Sequence, residues 1–166
     1  SLTKSLPSKA INSVDKLIRI MQYMLFESSQ ESVPLSNEIG HINNYLDLER
    51  IRYNEAEFID FKIAGDYSTI NVPPLIFMPF IENAFKHGNR LCPVPGIKVL
   101  IDVQKSNIYF EIRNFTKDNS YEHSKNSGFG LANIKRRLDL LFGNKYELNI
   151  ENVNNIYLVK LNLILI

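Results

Sequence analysis

Apolar residues at Ile11, Val14, Ile18, Met21 and Leu25 recur in alternating steps of three and four. On a helix this spacing places them on one seam. Ala10, Leu17 and Met24 widen the stripe, so the pattern predicts a helix over 9–30. So much apolar surface needs a partner, either the rest of the domain or another helix in a bundle or dimer. A polar break at Ser28-Ser29-Gln30-Glu31-Ser32-Val33-Pro34 precedes a second predicted helix over about 35–54. There Leu35, Ile39, Ile42, Leu46 and Tyr53 can share a buried face. His41 has Tyr45 rather than a metal ligand one turn on, and reads as a surface or packing histidine.

From Phe58 onward the period changes to two. Ile59, Phe61 and Ile63 predict a strand over 58–64, closed by the turn residues Gly65-Asp66. A helix over 74–87 follows Val72-Pro73, and Pro79 inside it implies a kink. Alternation over 97–103, with Leu100 on the outer parity, and again over 108–114 predicts a hairpin turning at Ser106-Asn107. Residues 116–127 are polar and aperiodic, which reads as a long flexible loop. A helix over 128–142 places Leu131, Ile134, Leu138 and Leu141 on one face, with Gly143 as its C-cap. Strands over 146–150 and 156–165 close the chain as a hairpin around Asn152–Asn155. This order predicts an α/β two-layer sandwich: a mixed, mostly antiparallel sheet with helices on one face, and a first helix standing apart.

Composition narrows the classes. The 166 residues suit one globular domain, or one domain plus a helical appendage. Nineteen Lys+Arg against 18 Asp+Glu leave a net charge of +1, which argues against a nucleic-acid binder. A single cysteine excludes a disulfide framework and a cysteine-rich zinc site. No uncharged apolar run approaches the roughly 18 residues of a membrane span. Because the chain opens on Ser1, it is expected to be a segment of a longer protein, with any membrane anchor elsewhere.

Three constellations carry candidate chemistry. On the helix over 74–87, Glu82, Asn83, Lys86 and His87 occupy an arc of roughly 140°, opposite Phe77, Phe80, Ile81, Ala84 and Phe85. An amide beside a carboxylate can hold Mg²⁺ and orient water, and a lysine one turn on can meet a phosphate. Second, Ser127-Gly128-Phe129-Gly130-Leu131-Ala132-Asn133 leads a loop into a helix, where glycine backbone and a helix N-terminus favour anions. Third, Asn114 shares strand parity with Ile108, Phe110 and Ile112, so a polar side chain points towards the core. It either caps local backbone or recognises a base edge.

In sequence, Pro73-Pro74-Leu75-Ile76-Phe77-Met78-Pro79-Phe80-Ile81-Glu82-Asn83-Ala84-Phe85-Lys86-His87-Gly88 resembles the N-box of bacterial sensor histidine kinases of the LytS-like subgroup. Gly128-Phe129-Gly130-Leu131-Ala132-Asn133-Ile134-Lys135-Arg136-Arg137-Leu138 resembles their second glycine box. Val33–Ile39, with Tyr45-Leu46, Glu49 and Arg52, looks like the segment before the ATP-binding core. Tyr23–Ser28 looks like the end of the second dimerisation helix.

The resemblance implies a GHKL-type ATP-binding domain over 33–166, preceded by a remnant of the dimerisation hairpin over 1–32. It implies ATP and Mg²⁺ as cofactors, Asn83 as metal ligand and Glu82 as base or water-positioner. Lys86 and His87 would line the phosphates. Gly128 and Gly130 would support a mobile lid over 116–129, with Leu131 and Asn133 beside them. Asn114 stands where the family commonly has the Asp of an Asp-x-Gly element, and its amide oxygen can still accept from the adenine amino group. The phosphoacceptor motif of the family is not found around His41, His87 or His123. The implied function is phosphoryl transfer from ATP to a histidine on an absent helix and then to a response regulator. The implied setting is a homodimer through the N-terminal helix, in the cytoplasmic portion of an inner-membrane sensor. A degenerate signalling module, acting through dimer contacts with weak or no nucleotide binding, is the alternative that the lost acid at Asn114 motivates.

Overall fold

The structure, a computed structural model, describes residues 2–53, 56–116 and 127–165. In chain order its elements are α1 (Leu2–Gln22), a π-helical turn (Tyr23–Glu27), β1 (Val33–Pro34), α2 (Leu35–Tyr53), β2 (Ile59–Gly65), β3 (Asn71–Val72), α3 (Met78–His87), β4 (Ile97–Gln104), β5 (Asn107–Phe115), α4 (Ser127–Phe142), β6 (Tyr146–Val153) and β7 (Ile156–Ile164). The chain forms two compact units, one of residues 1–56 with 67–76 and one of residues 57–66 with 77–166.

In the first unit α1 begins well before the predicted start, and its last turn widens to π geometry, with Ser28 N–H donating to the Tyr23 carbonyl at 3.1 Å. The apolar seam is uncovered: Ile11, Val14, Ile18, Met21 and Leu25 are 47–68% exposed. Ile20 and Tyr23 are buried instead, with Ser13, Lys16 and Glu27 partly so. Lys16 pairs with Asp47 of α2, whose other oxygen takes a hydrogen bond from Arg50 at 2.8 Å. Thus α1 and the turn after it dock on α2 through Ile20, Tyr23 and the Lys16–Asp47 pair rather than through the predicted seam. On α2, Leu35, Ile39, Ile42 and Leu46 are buried as their spacing predicts; the Tyr53 side chain lies outside the described residues. His41 is a packing histidine, buried and stacked on Tyr23. β1 and β3 pair antiparallel, Val33 opposite Val72, in a two-stranded sheet too short to announce itself by alternation.

The second unit is built on a five-stranded sheet of order β2-β4-β5-β7-β6. Only β2 and β4 run parallel, so the sheet is mixed and mostly antiparallel, as expected. Ile101, Phe110 and Leu161 lie in one cross-strand row and are fully buried. The rings of Phe77 and Phe80 rest on Phe110, with centroids at 4.9 and 5.8 Å, which fixes α3 on this face. Full burial of each such side chain contributes about 1.5–3 kcal/mol. On α4 Leu138 is buried, whereas Leu141 is exposed. The opposite sheet face is polar, with Asp102, Tyr109, Asn162 and Glu147 in one row.

Two expectations shift. The β4–β5 turn is Lys105-Ser106 rather than Ser106-Asn107, and Lys105 takes the positive φ of 55° that the tight hairpin demands. The closing hairpin is longer than predicted and turns at Asn154-Asn155, both left-handed. The expected kink at Pro79 is corrected: α3 starts at Met78, so Pro79 sits in its first turn, where no N–H is needed.

Candidate functional site

The site begins with the two-faced character of α3. Phe80, Ile81, Ala84 and Phe85 are buried against the core. Glu82 and Lys86 are exposed, and Asn83 and His87 are half-buried along the same edge. Partial desolvation raises the Glu82 carboxyl above its ordinary value. Burial, helped by the neighbouring Lys86 charge, lowers the His87 imidazole. Both groups are shifted towards their neutral forms.

The C-terminal end of α3 is tied to the end of β5. Gly88 leaves the helix extended and forms a bridge with Thr116, and Asn89 N–H donates to the Phe115 carbonyl at 2.7 Å. A Cβ at Gly88 would stand 2.6 Å from the Ala84 carbonyl oxygen and 3.9 Å from Asn114 Nδ2. Glycine is therefore what the chain needs beside the Ala84 carbonyl as it leaves the helix, and this exit passes close to Asn114. Asn114 is 1% exposed; its Nδ2 donates to the Phe115 carbonyl at 3.2 Å. Its Oδ1 is buried and has no donor among the described residues. A buried acceptor left unmade costs about 1–3 kcal/mol, which makes it a natural partner for a ligand donor.

α4 presents Gly128, Gly130, Leu131 and Asn133 in its first two turns. These glycines are helical rather than part of a preceding loop. Nothing lies within 4 Å of where a Gly130 Cβ would sit, so that turn is open. Leu131 is half-buried and Asn133 exposed. Of the expected lid, Thr116 is buried and anchored, its N–H donating to the Asn155 carbonyl at 2.8 Å, while residues 117–126 lie outside the described residues.

The structure thus brings the α3 edge and Asn114 to one corner of the second unit and places the glycine-box residues on another helix of that unit. The Gly88–Thr116 bridge was missed from sequence, although a glycine directly after a helix whose next strand partner is distant was its one available sign. Among the described residues no group of three or more His, Cys, Asp or Glu could hold a metal. A hard cation here would draw on Asn83, on Glu82 and on oxygens that a ligand brings. No helix among the described residues is long and apolar enough to cross a membrane.

Residues 1–57 match a family model described as histidine kinase. The chain is 28% identical over 135 residues to the sensor protein LytS of Bacillus cereus, covering 74% of this chain and 23% of that protein. It is 26% identical over 159 residues to the sensor histidine kinase BtsS of Escherichia coli, covering 85% and 28%. The catalytic domain of histidine kinase ThkA superposes with a TM-score of 0.55 at 14% identity, over 80% of this chain and 94% of that domain. The fold is that of a histidine kinase catalytic domain. ThkA in complex with the response regulator protein TrrA also matches, with a TM-score of 0.51 at 16% identity, over 93% of this chain and 48% of that one. The chain spans about a quarter of the length of the curated relatives it matches. The family match falls on α1, the π-helical turn and α2, where Tyr23–Ser28 and Val33–Ile39 carry the resemblance seen in the sequence.

Proposed function

We propose that this chain is the ATP-binding catalytic part of a two-component sensor histidine kinase of LytS-like type. The observation that carries the reading is Asn114: a buried acceptor without a donor, beside the end of the helix that bears Glu82, Asn83, Lys86 and His87. An adenine amino group would complete it, and a carboxamide oxygen suffices for that bond without a charge.

In this reading Asn83 would hold Mg²⁺, which would supply positive charge against the triphosphate. Lys86 and His87 line the phosphate side. Gly128, Gly130, Leu131 and Asn133 offer an open helix N-terminus to the anionic chain. Glu82, with its carboxyl shifted towards the neutral form, receives or relays the proton of the acceptor imidazole or positions water. A nitrogen of a histidine outside these motifs bonds to the γ-phosphorus as the bond to the bridging oxygen breaks and ADP leaves. The phosphoryl group then passes to a response regulator. Residues 1–32 act as the dimerisation segment and 33–166 as the catalytic domain, in the cytoplasmic portion of a membrane sensor. The uncovered seam on α1 supports a homodimer through that helix.

The test is calorimetric binding of ATP and ADP, with and without Mg²⁺, to the wild type and to Asn83→Ala. Micromolar binding that needs Mg²⁺ and is lost in Asn83→Ala is expected. Binding unaffected by Asn83→Ala overturns the metal assignment. No binding, also after the chain is joined to its dimerisation partner, favours the degenerate signalling module, to which the uncharged residue at Asn114 lends support.

A further inference from the structure

Three groups of the first unit meet in a way that no role above uses. Tyr23 opens the π-helical turn and is 5% exposed; its hydroxyl donates to Oε2 of Glu38 on α2. Glu38 is fully buried. The same oxygen accepts the Leu75 N–H at 2.9 Å. Leu75 has a φ of +54°, the left-handed region that a residue with a branched side chain disfavours. Strain of this kind persists only where surrounding contacts over-determine it. The Tyr23 ring also stacks on His41, with centroids 4.3 Å apart and planes at 22°, so packing as well as hydrogen bonding aims its hydroxyl. Leu75 stands three residues before Met78, the first residue of α3.

We propose that Tyr23, Glu38 and Leu75 form a clasp, in which Glu38 is a positioning residue linking the π-helical turn after α1 to the strap that enters α3. A π turn holds one residue more than an α turn, and such turns recur at functional sites. Relaxing it to α geometry rotates the preceding residues by about 100° relative to those after it, and Tyr23 then no longer meets Glu38. Glu38 loses the donor that orients Oε2, and the Leu75 backbone loses the acceptor that holds it left-handed. A change in α1 is thereby carried to Leu75, from which the chain runs on into the helix that bears Asn83. The consequence for nucleotide rests on the reading of α3 given above; the clasp itself does not.

Amide hydrogen exchange on the full chain tests this with Tyr23→Phe, which keeps the ring on His41 and removes only the hydroxyl, and with Glu38→Gln. The expected result is about tenfold faster exchange at Leu75 in Tyr23→Phe, the size of one lost hydrogen bond, with the slowest β5 amides unchanged. Exchange at Leu75 is faster still in Glu38→Gln, and Mg-nucleotide affinity falls several-fold in both. Unchanged Leu75 exchange in Tyr23→Phe overturns the clasp, as does weakened nucleotide binding with Leu75 unaffected. If Glu38→Gln does not fold, Tyr23→Phe decides alone. If the wild type binds no nucleotide, the proposed function fails, and exchange at Leu75 still supports or overturns the clasp.

Discussion

The ring of Phe80 lies against the ring of Phe110, with centroids 5.8 Å apart, and this contact joins the polar edge of α3 to the strand that carries Asn114. Both rings are at most 2% exposed, so the polar edge of α3 is held by core packing rather than by polar bonds. Phe80→Ala is expected to cost about 3–5 kcal/mol, because the surrounding core closes only partly over the cavity. Urea denaturation measures this directly. A midpoint within error of the wild type contradicts the packing described here.

Asn114→Leu separates stability from binding. It replaces a buried carboxamide, whose Oδ1 has no donor among the described residues, with an apolar side chain of similar size. Without nucleotide the variant should melt at or above the wild-type temperature, since about 1–3 kcal/mol of unmade hydrogen bonding disappears. Nucleotide affinity should fall at least about tenfold for the same reason. Scanning calorimetry with and without Mg-ADP reads both. Lower stability with intact binding reverses the assignment.

The pH dependence has a definite sign. Burial lowers both His41 and His87 below their ordinary value of 6.5. As pH falls from 6.5 towards the folded-state values, the unfolded chain binds more protons, so stability present above 6.5 is progressively lost. Glu82 is raised and acts oppositely: the folded form holds its proton above 4.5, where the unfolded chain has released it. His41→Phe should therefore flatten the loss between about pH 7 and 5, and Glu82→Gln should raise stability at neutral pH with no gain well below 4.5. Denaturant titrations over this range check both slopes.

The uncovered seam on α1 gives a fourth expectation. Ile18→Asp, on a residue 47% exposed, should leave the monomer melting temperature within a few degrees of wild type. It should also abolish concentration-dependent self-association in sedimentation equilibrium. Self-association that survives the change places the contact elsewhere.

Much of this was legible beforehand. Alternation along β4 and β5 located both strands and the buried parity of Asn114, because a period of two admits one solution on a half-buried sheet. The two faces of α3 followed from spacing alone. Pro79 misled because local pattern cannot tell a helix interior from a first turn; that depends on where the preceding backbone is held. The short pairing of β1 with β3 was hidden because two residues carry no periodicity.

The sequence by itself determined the order of elements apart from β1 and β3, the inward residues of the five-stranded sheet and the edge on which Glu82, Asn83, Lys86 and His87 stand. Those properties depend on side-chain type at fixed intervals along one element. Only the tertiary structure decided that α1 docks through Lys16, Ile20 and Tyr23 and leaves its apolar seam bare. It alone decided that the end of α3 at Gly88 lies beside Asn114, and that one oxygen of Glu38 serves Tyr23 and Leu75 together. Each of these joins groups far apart in the chain, and the energy of such a contact exists only once packing has brought its partners within hydrogen-bonding or van der Waals reach.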